Sequence, residues 1–276
     1  MAAERIIVNK GGIFVKFIKS RIIICNMQLN SRYCQLFGKI PIFGMIHLAG
    51  QNPVHRALEE LSVFEEEGVD SAIIENYHGS FQNVIETLHE TYRRKPNIVI
   101  GVNILPNEFC KSLPLAQQYG ADFVQLDQIA GTYTSGKLDF RAYETVKDRY
   151  PDIIVLGGVW PKYYHPVEGS DLEEDLKIGI QRAEAIVVTG AGTGKETPID
   201  KIRRFREIIG EYPLVVGAGL TPDNAYEQLC IANGAIVGTS FKAGCNTNNL
   251  IDRQRVREFM LVVKEARKYQ GNLALK

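Results

Sequence analysis

His47 and Glu75 are the residues of this 276-residue chain best suited to move protons, and Lys162 is a further catalytic candidate. Each follows a short apolar run: Phe43-Gly-Met-Ile-His47, Ala72-Ile-Ile-Glu75 and Gly157-Gly-Val-Trp-Pro-Lys162. A titratable group placed there is partly desolvated, which moves its pKa toward neutrality and suits it to acid/base work. His47 could equally serve as a structural hydrogen-bonding group. Lys162 could pair with a phosphate or form a Schiff base, or stand solvated in its loop. Polar residues also stand at further run ends, Asn76, Asn103, Gln125 with Asp127, and Thr189, where unpaired groups cost stability, so their convergence suggests a site. Of these, Asn76, Asn103, Asp127 and Thr189 are expected to bind substrate. Glu75 and His78, with His47, have the donor types of a metal site, but spacing alone is weak. The reading adopted has no metal and no cofactor.

A second set of residues suits an anion. Ala185-Ile-Val-Val-Thr-Gly190, Leu214-Val-Val-Gly-Ala-Gly219 and Gly234-Ala-Ile-Val-Gly-Thr-Ser240 are three apolar runs that end in glycine with a hydroxyl close by. Glycine lets backbone N–H groups approach a ligand closely. The expected phosphate-binding residues are Gly190, Gly192, Thr193, Gly217, Gly219, Gly238, Thr239 and Ser240. Gly190-Ala-Gly-Thr-Gly-Lys195 is not a nucleotide P-loop, because Thr189 and Glu196 stand where that pattern needs glycine and Ser or Thr. Gly217-Ala-Gly219 is only the front of a dinucleotide fingerprint. The competing reading is that these glycines merely turn the chain.

The elements that must position these groups alternate from residue 40 onward. Strands are expected at Ile40–His47, Ser71–Glu75, Ile98–Ile104, Phe123–Leu126, Ile153–Val159, Ala185–Val188, Leu214–Gly217 and Ala235–Val237. Between them lie amphipathic segments such as Val54–Glu67, Phe81–Arg93, Asp200–Ile209, Asp223–Leu229 and Arg253–Lys268. Thr197-Pro198 and Thr221-Pro222 read as helix starts, and Gly68 and Gly120 as helix ends. Eight such units predict a single (β/α)8 TIM barrel over residues 40–276, with the site at the C-terminal ends of its strands. Asp127–Gly136 is expected to be a lid or specificity loop, and Trp160–Ser170 an irregular stretch on the same face.

Composition narrows the partners. Thirty-two basic residues balance 32 acidic ones, so no net field recruits nucleic acid. Five scattered cysteines without a Cys-x-x-Cys pair read as reduced thiols of a cytoplasmic protein. Residues 1–39 are expected to be a basic N-terminal extension, disordered or not translated, with seven Lys/Arg against Glu4 alone. A start at Met27 would leave residues 1–26 outside the working protein. A peripheral membrane contact through the basic segment is the less favoured alternative. Exposed helices could support a homo-oligomer, but nothing specifies one.

The chain resembles the BtpA family over roughly Ile40 to Lys268. The resemblance rests on Phe43-Gly-Met-Ile-His-Leu48, Ile73-Ile-Glu-Asn76, Gly101-Val-Asn-Ile-Leu105, Val187-Val-Thr-Gly190 with Thr193-Gly194, and Ile236-Val-Gly-Thr-Ser-Phe-Lys242. It implies a ribulose-phosphate-binding type of barrel. Gln125-Leu-Asp-Gln-Ile129 and Gly157-Gly-Val-Trp-Pro-Lys162 depart from the family pattern on substrate-facing loops. The resulting expectation is an enzyme acting on a phosphorylated sugar or nucleoside-like small molecule, with isomerase, lyase and nucleosidase-like chemistry open. The alternative is a non-catalytic biogenesis or assembly factor of a membrane complex.

Overall fold

Short apolar runs that are buried on both faces form parallel strands, and the amphipathic segments between them return the chain along the outside. The computed structural model describes residues 31–273. The expected extension through residue 30, with its Met27 start, therefore lies outside the described residues. Eight strands close into one parallel barrel: β1 (Ile42–Ile46), β2 (Ser71–Glu75), β3 (Val99–Asn103), β4 (Phe123–Ala130), β7 (Ile154–Val159), β8 (Ala185–Thr189), β9 (Leu214–Gly217) and β10 (Gly234–Val237). The small antiparallel hairpin of β5 (Thr132–Tyr133) and β6 (Gly136–Lys137) stands apart from it. β1 pairs with both β2 and β10, which closes the ring.

The α-helices are α1 (Arg32–Phe37), α2 (Pro53–Glu67), α3 (Phe81–Arg94), α4 (Phe109–Tyr119), α5 (Phe140–Lys147), α6 (Leu172–Gly179), α7 (Ile199–Ile209), α8 (Pro222–Ile231) and α9 (Arg253–Leu273). Gly68 and Gly120 end α2 and α4 in the left-handed conformation, as their positions predict. Thr221 caps α8, and its N–H donates to Asn224 Oδ1 at 2.9 Å. Thr197 does something else: its hydroxyl donates to the Gly217 carbonyl at 3.1 Å, and α7 begins without a side-chain cap.

Two apolar layers result. One lies between strands and helices, and the other fills the barrel with Phe43, Met45, Ile73, Phe123, Ile154, Leu156, Ala185, Val187, Val215 and Ile236. The last part of the expected extension belongs to this inner layer. Tyr33 and Phe37 of α1 are buried, and Phe37 packs edge-on against Phe43 and Phe123. These rings seal the N-terminal end of the barrel.

The fourth strand runs past its expected end at Leu126. Its pairing with β7 shifts register between Leu126 and Ala130, so Asp127 and Gln128 lie within the strand. Gly158 permits this, since a Cβ there would lie 2.0 Å from the Asp127 carbonyl oxygen. The region expected to be a lid from Asp127 is thus strand as far as Ala130, followed by the hairpin. The irregular stretch after Trp160 joins that hairpin: Tyr133 bridges to Pro166, and Thr134 N–H donates to the His165 carbonyl at 2.9 Å.

Candidate active site

Alternate residues of each strand face the barrel interior. Ile46 pairs with Ile74, Glu75 with Asn103, and Val102 with Val124. This register sets His47, Glu75, Asn103 and Gln125 in one row across β1 to β4, at the C-terminal mouth. Asp127 is the next inward position on β4, and Thr189 ends β8. Round the rest of the ring the inward positions include Gly217 and Gly238, whose missing side chains accommodate their neighbours. A Cβ on Gly238 would come within 2.9 Å of His47 Cε1, and one on Gly217 within 3.2 Å of Thr189 Cγ2.

The acid/base candidates are therefore brought together. His47 and Glu75 are 4 % and 6 % exposed, and His47 Nε2 stands 4.0 Å from Glu75 Oε2. Asn103 Nδ2 donates to Glu75 Oε1 at 2.8 Å. Burial pushes the Glu75 carboxyl up to about 7; the Lys162 ammonium and the Asn103 bond oppose this, and the Asp127 charge adds to it. Asp127 is raised as well, again by burial, with Lys162, Asn103 and Tyr164 holding it back. His47 is held well below the usual imidazole value, chiefly by burial and then by the charges of Lys242, His78 and Lys162. It is neutral at pH 7, so its contact with Glu75 is not an ion pair. Its Nδ1 is buried without a partner.

Lys162 is half-buried, and its Nζ donates to Thr193 Oγ1 at 3.0 Å. Its backbone N–H donates to Thr189 Oγ1 at 2.6 Å, so Thr189 fixes the lysine's loop. Tyr163 adds a second link, its phenol accepting from Thr193 N–H at 2.9 Å. Asn76 is used locally, with Oδ1 accepting from Leu105 N–H at 2.8 Å. His78 turns to Thr247, with Nε2 and Oγ1 2.9 Å apart. Among the described residues no group of three or more His, Cys, Asp or Glu is placed to hold a metal ion. His55 and His89 are surface residues paired with nearby acids, and His165 is exposed.

The glycine-rich loops pack on one another at the opposite rim. Gly219, at φ +72°, has the Lys195 carbonyl where a Cβ would be, 2.2 Å away. Gly190 is crowded in the same way by the Glu196 carbonyl at 2.5 Å. Gly219 thus serves backbone-to-backbone packing between the loops after β8 and β9, and Gly190 closes the loop after β8 on itself. Gly192 lies beside the Tyr163 hydroxyl, and Gly194 beside Thr239. Gly238, Thr239 and Ser240 enter a single 3-10 turn (Thr239–Phe241) after β10.

Gln125, read with Asp127 as a run-end residue but given no role of its own, shares the inward face of β4 with it. Two further participants, Lys201 and Lys242, escaped the residue-level reading. Lys201 of α7 donates to the Trp160 and Thr189 carbonyls at 2.9 and 2.8 Å, tying the ends of β7 and β8. Lys242 is fully buried and bonds Glu60 Oε1 at 2.7 Å, while Arg56 bonds the same oxygen at 3.0 Å. A helix-borne lysine and a distant ion pair carry no local signature.

Comparison with known proteins agrees with this architecture. An uncharacterized protein of Pyrococcus abyssi is 30% identical over 258 residues, covering 83% of this chain and 98% of its own. The photosystem I biogenesis protein BtpA of Synechocystis is 27% identical over 256 residues, 83% of this chain and 89% of its own. Among solved structures, phosphoribosyl anthranilate isomerase from Thermococcus kodakaraensis superposes with a TM-score of 0.56 at 20% identity. It matches 81% of this chain and 99% of that one, a likeness of fold. No described helix is long and apolar enough to cross a membrane. The BtpA family model matches residues 41–265, nearly the whole barrel, and the chain belongs to the BtpA family.

Proposed function

We propose that this barrel is an enzyme that acts on a phosphorylated sugar or nucleoside-like small molecule by acid/base chemistry at its C-terminal mouth. The observation that carries the reading is Glu75: buried, bonded to Asn103, and titrating at about 7. Such a carboxyl can give a proton to a substrate oxygen and recover it within one turnover, an effect of about 10²–10⁴-fold in rate. Neutral His47 beside it can accept a proton, and Lys162 offers a positive charge to a phosphate or to an oxygen on which charge develops. Asp127 and Asn103 orient the sugar end. The amides and hydroxyls of Gly192, Thr193, Gly217, Gly238, Thr239 and Ser240 would hold the phosphate, with Gly190 and Gly219 shaping their loops. Isomerisation, aldol-type cleavage and glycosidic cleavage can all use this pair.

The test is thermal stability against sugar phosphates, nucleotides and their unphosphorylated counterparts. A ligand at about 100 times its Kd adds roughly 2.7 kcal/mol. Stabilisation by phosphorylated members alone supports the reading, and silence across the panel defeats it. The name of the Synechocystis relative favours a second reading, a non-catalytic assembly factor. That reading gains if no metabolite binds and Glu75→Gln leaves the protein's role in cells intact.

A further inference from the structure

Gln125 is at an inward position of a closed barrel, yet it is only half-buried. Its neighbours on the inside of the strands, Phe123 and Leu156, are fully buried, so solvent reaches Gln125 and goes no deeper there. Its Oε1 is buried without a hydrogen-bond partner. The adjacent Asn103 is in the same condition: its Nδ2 is engaged by Glu75, and its Oδ1 has no partner. Unpaired buried carbonyl oxygens are rare because each forfeits hydration without return. Among the described residues the side-chain amide oxygens of Gln128 and Gln228 are unpaired too, but those of Asn103 and Gln125 stand side by side on β3 and β4, next to the proposed acid/base residue.

We infer that Gln125, beside the fully buried Asn103, is a specificity-determining residue that binds a hydroxyl group on the sugar part of the ligand. This rests on the phosphorylated-sugar reading above and deepens it. No bond pins the Gln125 amide, so it can turn about its last torsion and present either oxygen or NH2. A hydroxyl both donates and accepts, and it satisfies the amide in either orientation. A methylene satisfies neither. The phosphate rim lies across the mouth, so the two ends of the ligand are read by separate residues.

Calorimetric binding of inorganic phosphate and of ribose 5-phosphate, to the wild type and to Gln125→Leu, tests this. Leucine matches the glutamine in bulk and removes the polar end. Gln125→Leu should bind ribose 5-phosphate about tenfold more weakly or worse, with phosphate affinity unchanged. Its melting temperature should hold or rise, because an unpaired buried amide has been removed; Gln125→Glu should not show that rise. If Gln125→Leu melts well below the wild type, the amide is structural and the inference falls. Undiminished ribose 5-phosphate binding overturns the inference alone. If the wild type binds ribose 5-phosphate no better than phosphate, the phosphorylated-sugar reading falls, and the inference with it.

Discussion

Asn103 donates one amide hydrogen to Glu75 Oε1 at 2.8 Å, across the β2–β3 pair whose register places the two residues directly opposite. The bond favours the ionised carboxylate, but burial outweighs it and the carboxyl titrates at about 7 against its usual 4.5. Folding therefore retains a proton that the unfolded chain releases. Stability contributed below about pH 4.5 is lost as pH rises toward 7.

Glu75→Gln keeps the acceptor for Asn103 and removes this loss. The variant should gain on the order of 3 kcal/mol over the wild type at pH 8, and little at pH 4.5. Chemical denaturation at both pH values measures it. Equal differences at the two would show that Glu75 does not titrate near neutrality in the folded protein.

Lys242 and Glu60 form a buried pair behind His47. Lys242→Met leaves the Glu60 charge with Arg56 alone and should cost about 3–5 kcal/mol. Glu60→Gln combined with Lys242→Met should recover much of that cost. The single variant also removes a charge that depresses His47, so the imidazole pKa, followed by NMR, should rise. An unmoved imidazole would disprove the electrostatic link.

Gly219 and Gly238 should respond differently to alanine. At Gly219 a methyl meets the Lys195 carbonyl at a positive φ, and the loss should exceed about 1 kcal/mol. At Gly238 it meets the His47 ring at a negative φ rather than a backbone carbonyl, so stability should fall less and ligand binding more. Melting curves with and without ribose 5-phosphate separate the two effects, and equal losses at both sites would contradict the assignment.

Phe37→Ala should cost about 3–5 kcal/mol, because its ring touches both Phe43 and Phe123. A chain starting at Ile40 should melt well below one starting at Met27. Equal melting temperatures would mean that α1 is dispensable to the barrel.

The eight barrel strands were legible because a strand buried on both faces must be an apolar run, and few other elements look like one. β4 was the exception at its end. Asp127 and Gln128 read as loop residues, and only the missing side chain of Gly158, some thirty residues on, lets the chain continue as strand there. His47, Glu75 and Asn103 were visible as polar stops on apolar runs. Gln125 was visible beside Asp127 at the end of its run but was given no role of its own, since its exposure depends on how deep the mouth is. Thr197 looked like a cap from its neighbour Pro198, while its partner, the Gly217 carbonyl, is distant in sequence. α1 was not legible because six residues are too few to show a helical period, and its buried Tyr33 and Phe37 sit in an otherwise basic stretch.

The seal at the N-terminal end also sets a timetable for synthesis. The Tyr33 hydroxyl donates to the carbonyl of Asn233, and β1 finds its second neighbour only in β10. A ribosome adding about 5–20 residues per second takes roughly 10–40 s to travel between those two points. Throughout that interval Tyr33 and the free edge of β1 wait without their final partners, exposed to other chains and to chaperones. A barrel that is closed by its last strand is thus vulnerable longest at its first.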